Sequence, residues 1–349
     1  MKALRRVGGV LVVLALTWGV FAYRSGAWLP PETSAVSGGE LTRDGLSERK
    51  RIAVLEVGRV AYLDEGSGPV LVLLHGCPFS AFEWQAVLPL LSRAHRVIVP
   101  DLFGLGDTPV RLDEDYRLPR DAQMVKELLA KLGVPKADFV AHDHGGATLQ
   151  VLMQLAPELI ASAVLSNVEA YDAWPSKPEV PYLKAIVNPV SSPLMFHLMQ
   201  VEAIQREVFS IAVHDEATLT PSVLNGWLAP HIATPARWQR LRRFFAWQLD
   251  PQHQHVTMGA VEAMRRFERP VLLVWGARDT NFGLALAARL ARDIPGVQGI
   301  HQLEHSAHMP MVEEPLAYAA AVLSFIDRGR IEERARATLA EARTVEAAR

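Results

Sequence analysis

Five short segments carry residues able to do acid–base or nucleophilic work: His75-Gly76-Cys77-Pro78, Asp101 to Thr108, Ala141 to Gly146, Gly276 to Asp279, and His308-Met309-Pro310. The most informative is Ala141-His142-Asp143-His144-Gly145-Gly146. An apolar run ends there and a helical pattern begins almost at once. The residue at the apex of such a turn holds a strained backbone, and its neighbours two before and two after must be small for the turn to close. Ala141 and Gly145 meet that need and leave Asp143 at the apex. A serine at that point needs a base before it can attack. An ionised carboxylate needs none, and it can displace a leaving group at a saturated carbon to give an ester. His308 would then activate the water that cleaves the ester, and Asp279 would fix the tautomer of His308 and stabilise its charge. The backbone N–H groups of Cys77 and His144 would face the oxyanion. His75, Gly76, Pro78, Gly145 and Gly146 would shape the surroundings, with His75 and His142 as structural histidines.

Such residues need strand ends to hold them together. Val70–Leu74, Arg96–Pro100, Asp138–Ala141, Ala161–Ser166 and Val271–Trp275 are short apolar runs, separated by helical patterns such as Arg120–Leu132 and Leu284–Arg292. Strand–helix alternation predicts an α/β fold: a mostly parallel sheet with helices on both faces and chemistry at the carboxyl ends of the strands. Each candidate segment falls at such an end. Residues 170–255 break the rhythm. They are rich in Pro, Trp, Met and His and show helical periodicity without strands. This predicts a helical cap, inserted between 51–169 and 256–328, which would exclude water and shape an apolar pocket.

Taken in order, these motifs resemble the α/β-hydrolase superfamily, and within it the aspartate-nucleophile branch of epoxide hydrolases and haloalkane dehalogenases. The resemblance spans roughly residues 51 to 328. It implies a hydrolase acting on a small apolar organic substrate and water, with no metal or organic cofactor. Epoxide opening to a diol ranks first, because His75-Gly76-Cys77-Pro78 and His142-Asp143-His144-Gly145-Gly146 look like that subgroup. Its members use cap tyrosines to assist the leaving oxygen, and Tyr171 and Tyr182 are the candidates here. Dehalogenation of haloalkanes or haloacids is the alternative. The tryptophan expected directly after the nucleophile is replaced by His144, leaving Trp174, Trp227, Trp238 or Trp247 as halide donors. Glu169 rivals Asp279 as the acid of the triad. A catalytically silent binding module is the reading from a different class; the intact His308 and Asp279 weigh against it.

The remaining features bound the problem. The formal net charge is -2, which gives no electrostatic case for a nucleic-acid partner. Cys77 is the one cysteine, so the chain can form no internal disulfide. His253 and His255 are closely spaced, but no carboxylate completes a metal site, and they are expected to be solvated. Lys2, Arg5 and Arg6 precede the uncharged run Val7–Tyr23, which as a helix would approach the thickness of a bilayer core. Residues 1–23 therefore read as a signal anchor or a signal peptide, with the catalytic domain on the non-cytoplasmic side. Residues 24–50 read as a linker and 329–349 as an exposed tail.

Overall fold

A computed structural model describes residues 43–330. Among them, eight strands form one sheet in the order β1-β2-β4-β3-β5-β6-β7-β8. They are β1 (Arg51–Val54), β2 (Arg59–Glu65), β3 (Val70–Leu74), β4 (Arg96–Pro100), β5 (Ala137–His142), β6 (Ile160–Val168), β7 (Val271–Gly276) and β8 (Val297–Leu303). β2 runs antiparallel to β1 and β4, and the remaining pairings are parallel. The central strands are apolar because both their faces are covered: every residue of β5 is buried.

Helices supply the cover. In chain order they are α1 (Arg43–Arg49), α2 (Leu88–Leu91), α3 (Leu118–Lys131), α4 (Asp143–Leu155), α5 (Val180–Val187), α6 (Ser192–Leu198), α7 (Glu202–Phe209), α8 (Pro221–Ile232), α9 (Pro235–Gln248), α10 (Gln254–Arg265), α11 (Leu284–Asp293) and α12 (Pro310–Glu313), followed by a helix over 315–330. The chain goes from β3 to β4 in one direction along the sheet and returns in the other. Right-handed crossovers therefore put α2 on one face and α3, α4, α10 and α11 on the opposite one. The packing agrees, with α4 against both α3 and α10. On the first face Trp84 and Tyr318 stack at 6.3 Å, which seats the helix over 315–330 beside α2. The described residues between β6 and β7 contain helices and no strand.

The structure corrects the expected linker. Residues 43–49 are helical and Leu46 is buried. Lys50 Nζ lies 2.6 Å from Asp101 and 2.9 Å from Asp107, while Arg43 and Ser47 also bond Asp107. Asp101 in turn accepts from the Ala81 and Asp107 amides, so this segment fastens the loop after β4. The tail likewise does not begin at 329, because Arg330 binds Asp138 and His95. No helix among the described residues is long and apolar enough to cross a membrane. Val7–Tyr23 lies outside the described residues.

Lys50→Met would leave the fully buried Asp101 without its cation. It is expected to destabilise the fold by about 3–5 kcal/mol, the cost of breaking a buried ion pair from one side. Urea unfolding measures this, and a loss below about 1 kcal/mol would return residues 43–50 to a linker.

Candidate active site

The turn between β5 and α4 has no intervening residue: His142 ends the strand and Asp143 starts the helix. Asp143 takes φ +50°, a conformation costing a non-glycine residue about 1–3 kcal/mol. Close packing holds it there. A Cβ on Gly145 would fall 2.3 Å from the Leu74 carbonyl oxygen, and one on Gly146 would fall 2.1 Å from Val168 Cγ1. The Asp143 carbonyl accepts the Glu169 N–H at 3.2 Å, tying the turn to the end of β6. On the other side, a Cβ on Gly76 would meet the Asp143 carboxyl at 2.6 Å, so the loop after β3 lies directly against it.

The Cys77 N–H donates to Asp143 Oδ1 at 2.8 Å. His144 N–H belongs to the first turn of α4, where amides have no intrahelical acceptor. His308 Nε2 lies 3.4 Å from Asp143 Oδ2, and its Nδ1 lies 3.1 Å from Asp279 Oδ2. Asp279 also accepts from Asn167 Nδ2 at 2.7 Å and from the Asn281 N–H at 2.7 Å. Burial alone would push the His308 pKa down. The charge of Asp279 and the bonds to both aspartates outweigh burial and hold it well above the usual histidine range. Burial would raise Asp143, but the His308 bond and charge, helped by His142 and the Cys77 N–H, keep it below the ordinary carboxylate range. The three side chains therefore form an ionised, buried Asp–His–Asp row.

Behind this row lies a second set of buried polar partners. His75 Nδ1 donates to the Gly76 carbonyl at 2.8 Å and Nε2 accepts the Leu102 N–H at 3.0 Å, with burial lowering its pKa. His142 sits between the His308 carbonyl (2.8 Å) and Glu83 (3.2 Å), while Glu83 also accepts the Gly76 N–H. Glu169, the rival acid, does not reach His308. Its Oε2 bonds His144 Nδ1 at 2.7 Å, and its Oε1 accepts from Gln248 Nε2 at 3.1 Å. Burial and then the Asp143 charge raise Glu169 well above the carboxylate range, so it holds a proton. Pro78 follows a cis peptide bond from Cys77.

A cavity opens over Cys77 and His308. Its walls are mostly apolar, including Phe79, Leu183, Ile186, Phe209, Trp238 and Phe245, and its polar groups include Glu179, Tyr182, Gln248 and Asn281. Tyr182 therefore reaches the cavity, and Tyr171 does not. The Tyr171 hydroxyl donates to Asp293 at 2.9 Å and its ring lies under the Arg289 guanidinium, so the expectation of Tyr171 as leaving-group acid is corrected. Its positive φ of 56° turns the side chain back towards α11. Among the tryptophans, Trp174 donates to Thr257 and Trp238 to Ser192. The indole N–H groups of Trp227 and Trp247 are buried without partners, but neither residue lines the cavity. His255 is exposed, and His253 is half-buried against the Trp247 ring at 4.7 Å. Metal-type ligand atoms of Cys77, Asp143 and Glu169 lie within 4.8 Å of one another, the one such group of three among the described residues. Each is already engaged: Cys77 Sγ by Gln248, Glu169 by His144 and Gln248, Asp143 by His308 and the Cys77 N–H.

Three residues here escaped sequence reasoning: Asn167, Glu179 and Asn281. Asn167 has a faint signal, since it ends a strand beside the elbow and takes φ +43° while bridging Gly276 N–H and Asp279. Nothing in the sequence separates Glu179 from a surface glutamate.

Asp279→Asn removes the strongest support for the His308 charge. The His308 pKa is expected to fall, read from the pH titration of its ring Hε1 resonance by NMR. An unchanged titration would mean that Asp143 alone holds the proton.

Comparison with known proteins places this geometry. The family model for the alpha/beta hydrolase fold matches residues 69–315. A soluble epoxide hydrolase of Corynebacterium sp. (strain C12) is 41% identical over 97 residues, which cover 27% of this chain and 33% of that protein. A putative carbamate hydrolase of Pseudomonas savastanoi pv. phaseolicola is 27% identical over 273 residues, covering 78% of this chain and 98% of that protein. Among solved structures, the haloalkane dehalogenase DbeA from Bradyrhizobium elkani superposes with a TM-score of 0.69 at 20% identity, covering 81% of this chain and 99% of that one. With the family model matching from β3 to α12, the chain is an enzyme of the α/β hydrolase fold family.

Proposed function

We propose that this enzyme opens small apolar epoxides to diols through a covalent ester on Asp143. The observation that carries the reading is Asp143 at a strand–helix apex, with one oxygen on the Cys77 N–H and the other facing His308. A carboxylate so placed attacks a saturated carbon directly. Ester formation then changes the electrostatics. Asp143 loses its charge, and His308 loses one of the two anions that hold its proton. With that support reduced, His308 gives up its ring proton to the cavity side, and the neutral imidazole then takes a proton from water, whose hydroxide attacks the Asp143 ester carbonyl. Asp279 keeps the ring oriented, and the amides of Cys77 and His144 receive the oxyanion.

One further observation favours epoxide over halide: over 97 residues the chain is 41% identical to a soluble epoxide hydrolase.

His308→Gln is expected to stop after one turnover with an aryl or alkyl epoxide. Intact mass spectrometry should then show one added epoxide, and peptide mapping should locate it on Asp143. No adduct, or an adduct on Cys77, would defeat the proposal; no adduct on any candidate would favour a binding module. Asp143→Ala should lose turnover by more than about 10⁴-fold while keeping the same unfolding midpoint, since it removes the group that forms the covalent bond.

A further inference from the structure

Ring opening leaves one proton to be supplied. The Asp143 oxygen bonds to a ring carbon, that carbon's bond to the ring oxygen breaks, and the electron pair moves onto the oxygen. Displacement from the back sends this oxygen away from Asp143, into the cavity. An alkoxide in an apolar cavity needs a donor as it forms. Tyr171 is elsewhere. His308 stands on the attacking side, with Nε2 against Asp143. Cys77 stands on the same side, with its N–H on Asp143 Oδ1 and its Sγ accepting from Gln248. The amides of Gln248 and Asn281 are not acids. Two cavity residues remain, Tyr182 and Glu179, adjacent at the start of α5, where the Tyr182 N–H donates to the Glu179 carbonyl.

Their settings differ. Glu179 lines the cavity together with His308, Cys77 and Asn281. Its Oε2 accepts one bond, from the Ser176 N–H at 3.2 Å, and among the described residues no lysine or arginine pairs with it. Asp143 and Glu169 face it and oppose its ionisation, while His308 and the Ser176 bond favour it. We propose that Glu179 is the general acid of this site, a protonated carboxyl that donates to the ring oxygen as Asp143 attacks. This rests on the Asp143 reading above. Burial chiefly, then the Asp143 charge, raises the Glu179 pKa from 4.5 to about 7, so the acid form is well populated at neutral pH. The proton passes from the carboxyl to the oxygen and Glu179 becomes a carboxylate. In the second step His308 passes its ring proton to the Glu179 carboxylate and regains one from the attacking water, so both groups are restored and the balance is epoxide plus water to diol.

Single-turnover ester formation tests this. Glu179→Gln keeps shape and neutrality but has no acidic proton. In a His308→Gln background it is expected to slow ester formation from an epoxide by about 10²- to 10⁴-fold, the range of general-acid assistance. Tyr182→Phe should change the same rate by less than tenfold. In the otherwise wild-type chain, ester formation should fall as pH rises through about 7, because the acid form is lost, and this limb should vanish in Glu179→Gln. An unchanged rate and pH profile in Glu179→Gln, or a loss confined to Tyr182→Phe, would overturn the assignment. Matching far-UV circular dichroism and unfolding midpoints check that the variants fold. Absence of any ester when Glu179 is intact would instead count against Asp143 as nucleophile, so the two failures are distinguishable.

Discussion

A negative charge has to survive on a buried carboxylate beside an apolar cavity, and the imidazolium of His308 between two aspartates is what stabilises it. Buried carboxylates tend to neutralise themselves by taking up a proton. Asp143 resists this because His308 Nε2 faces it at 3.4 Å, and His308 stays charged because Asp279 faces the other ring nitrogen at 3.1 Å. Asp279 itself is held ionised against its burial by His308, Asn167 and the Asn281 N–H. Charge at the reacting oxygen thus depends on groups reaching back to the ends of β6 and β7.

That dependence explains why so much of the sheet serves a few atoms. β3 delivers Cys77, β5 delivers Asp143, β6 delivers Asn167 and Glu169, β7 leads to Asp279, and the loop after β8 carries His308. Each group arrives at the carboxyl end of its strand, and parallel strands bring those ends to one edge. The close approaches at Gly76, Gly145 and Gly146 remove the slack between neighbouring strands. Lys50 and α1 then fasten the loop after β4 from outside, through Asp101 and Asp107.

How much was legible follows from what each residue must satisfy. β3 and β4 read directly from the sequence because strands buried on both faces are continuous apolar runs. β1 and β2 did not, since Arg51–Val54 and Arg59–Glu65 interleave charged residues with apolar ones at the sheet's antiparallel edge. β8 is an edge strand, and Val297–Leu303 is mostly solvent-facing and correspondingly polar. Asp143, Asp279 and His308 stood out because strand–turn–helix junctions constrain residue type locally. Tyr171 misled because its orientation is set by distant groups, Asp293 and Arg289, which no local pattern announces. Glu169 stands as a rival to Asp279 in the sequence for a similar reason, since no local pattern announces that its partner is His144.

The three carboxyls around the cavity show how one solvent-poor site can hold different protonation states side by side. Asp143 and Glu169 are buried and Glu179 is half-buried, yet only Asp143 meets the charged ring of His308 directly. The ionisation of Asp143 then acts on the other two, since its charge is the leading Coulombic influence raising each of them. Nucleophile and acid are linked in this sense: burial raises both glutamates, and the charge on Asp143 adds to that rise. Glu169 keeps its proton within a closed set of bonds to His144 and Gln248, where it can do no more than hold the elbow. Glu179 keeps its proton on the cavity wall, with one bond from Ser176 and room for a substrate oxygen. Environment separates the roles of chemically similar groups.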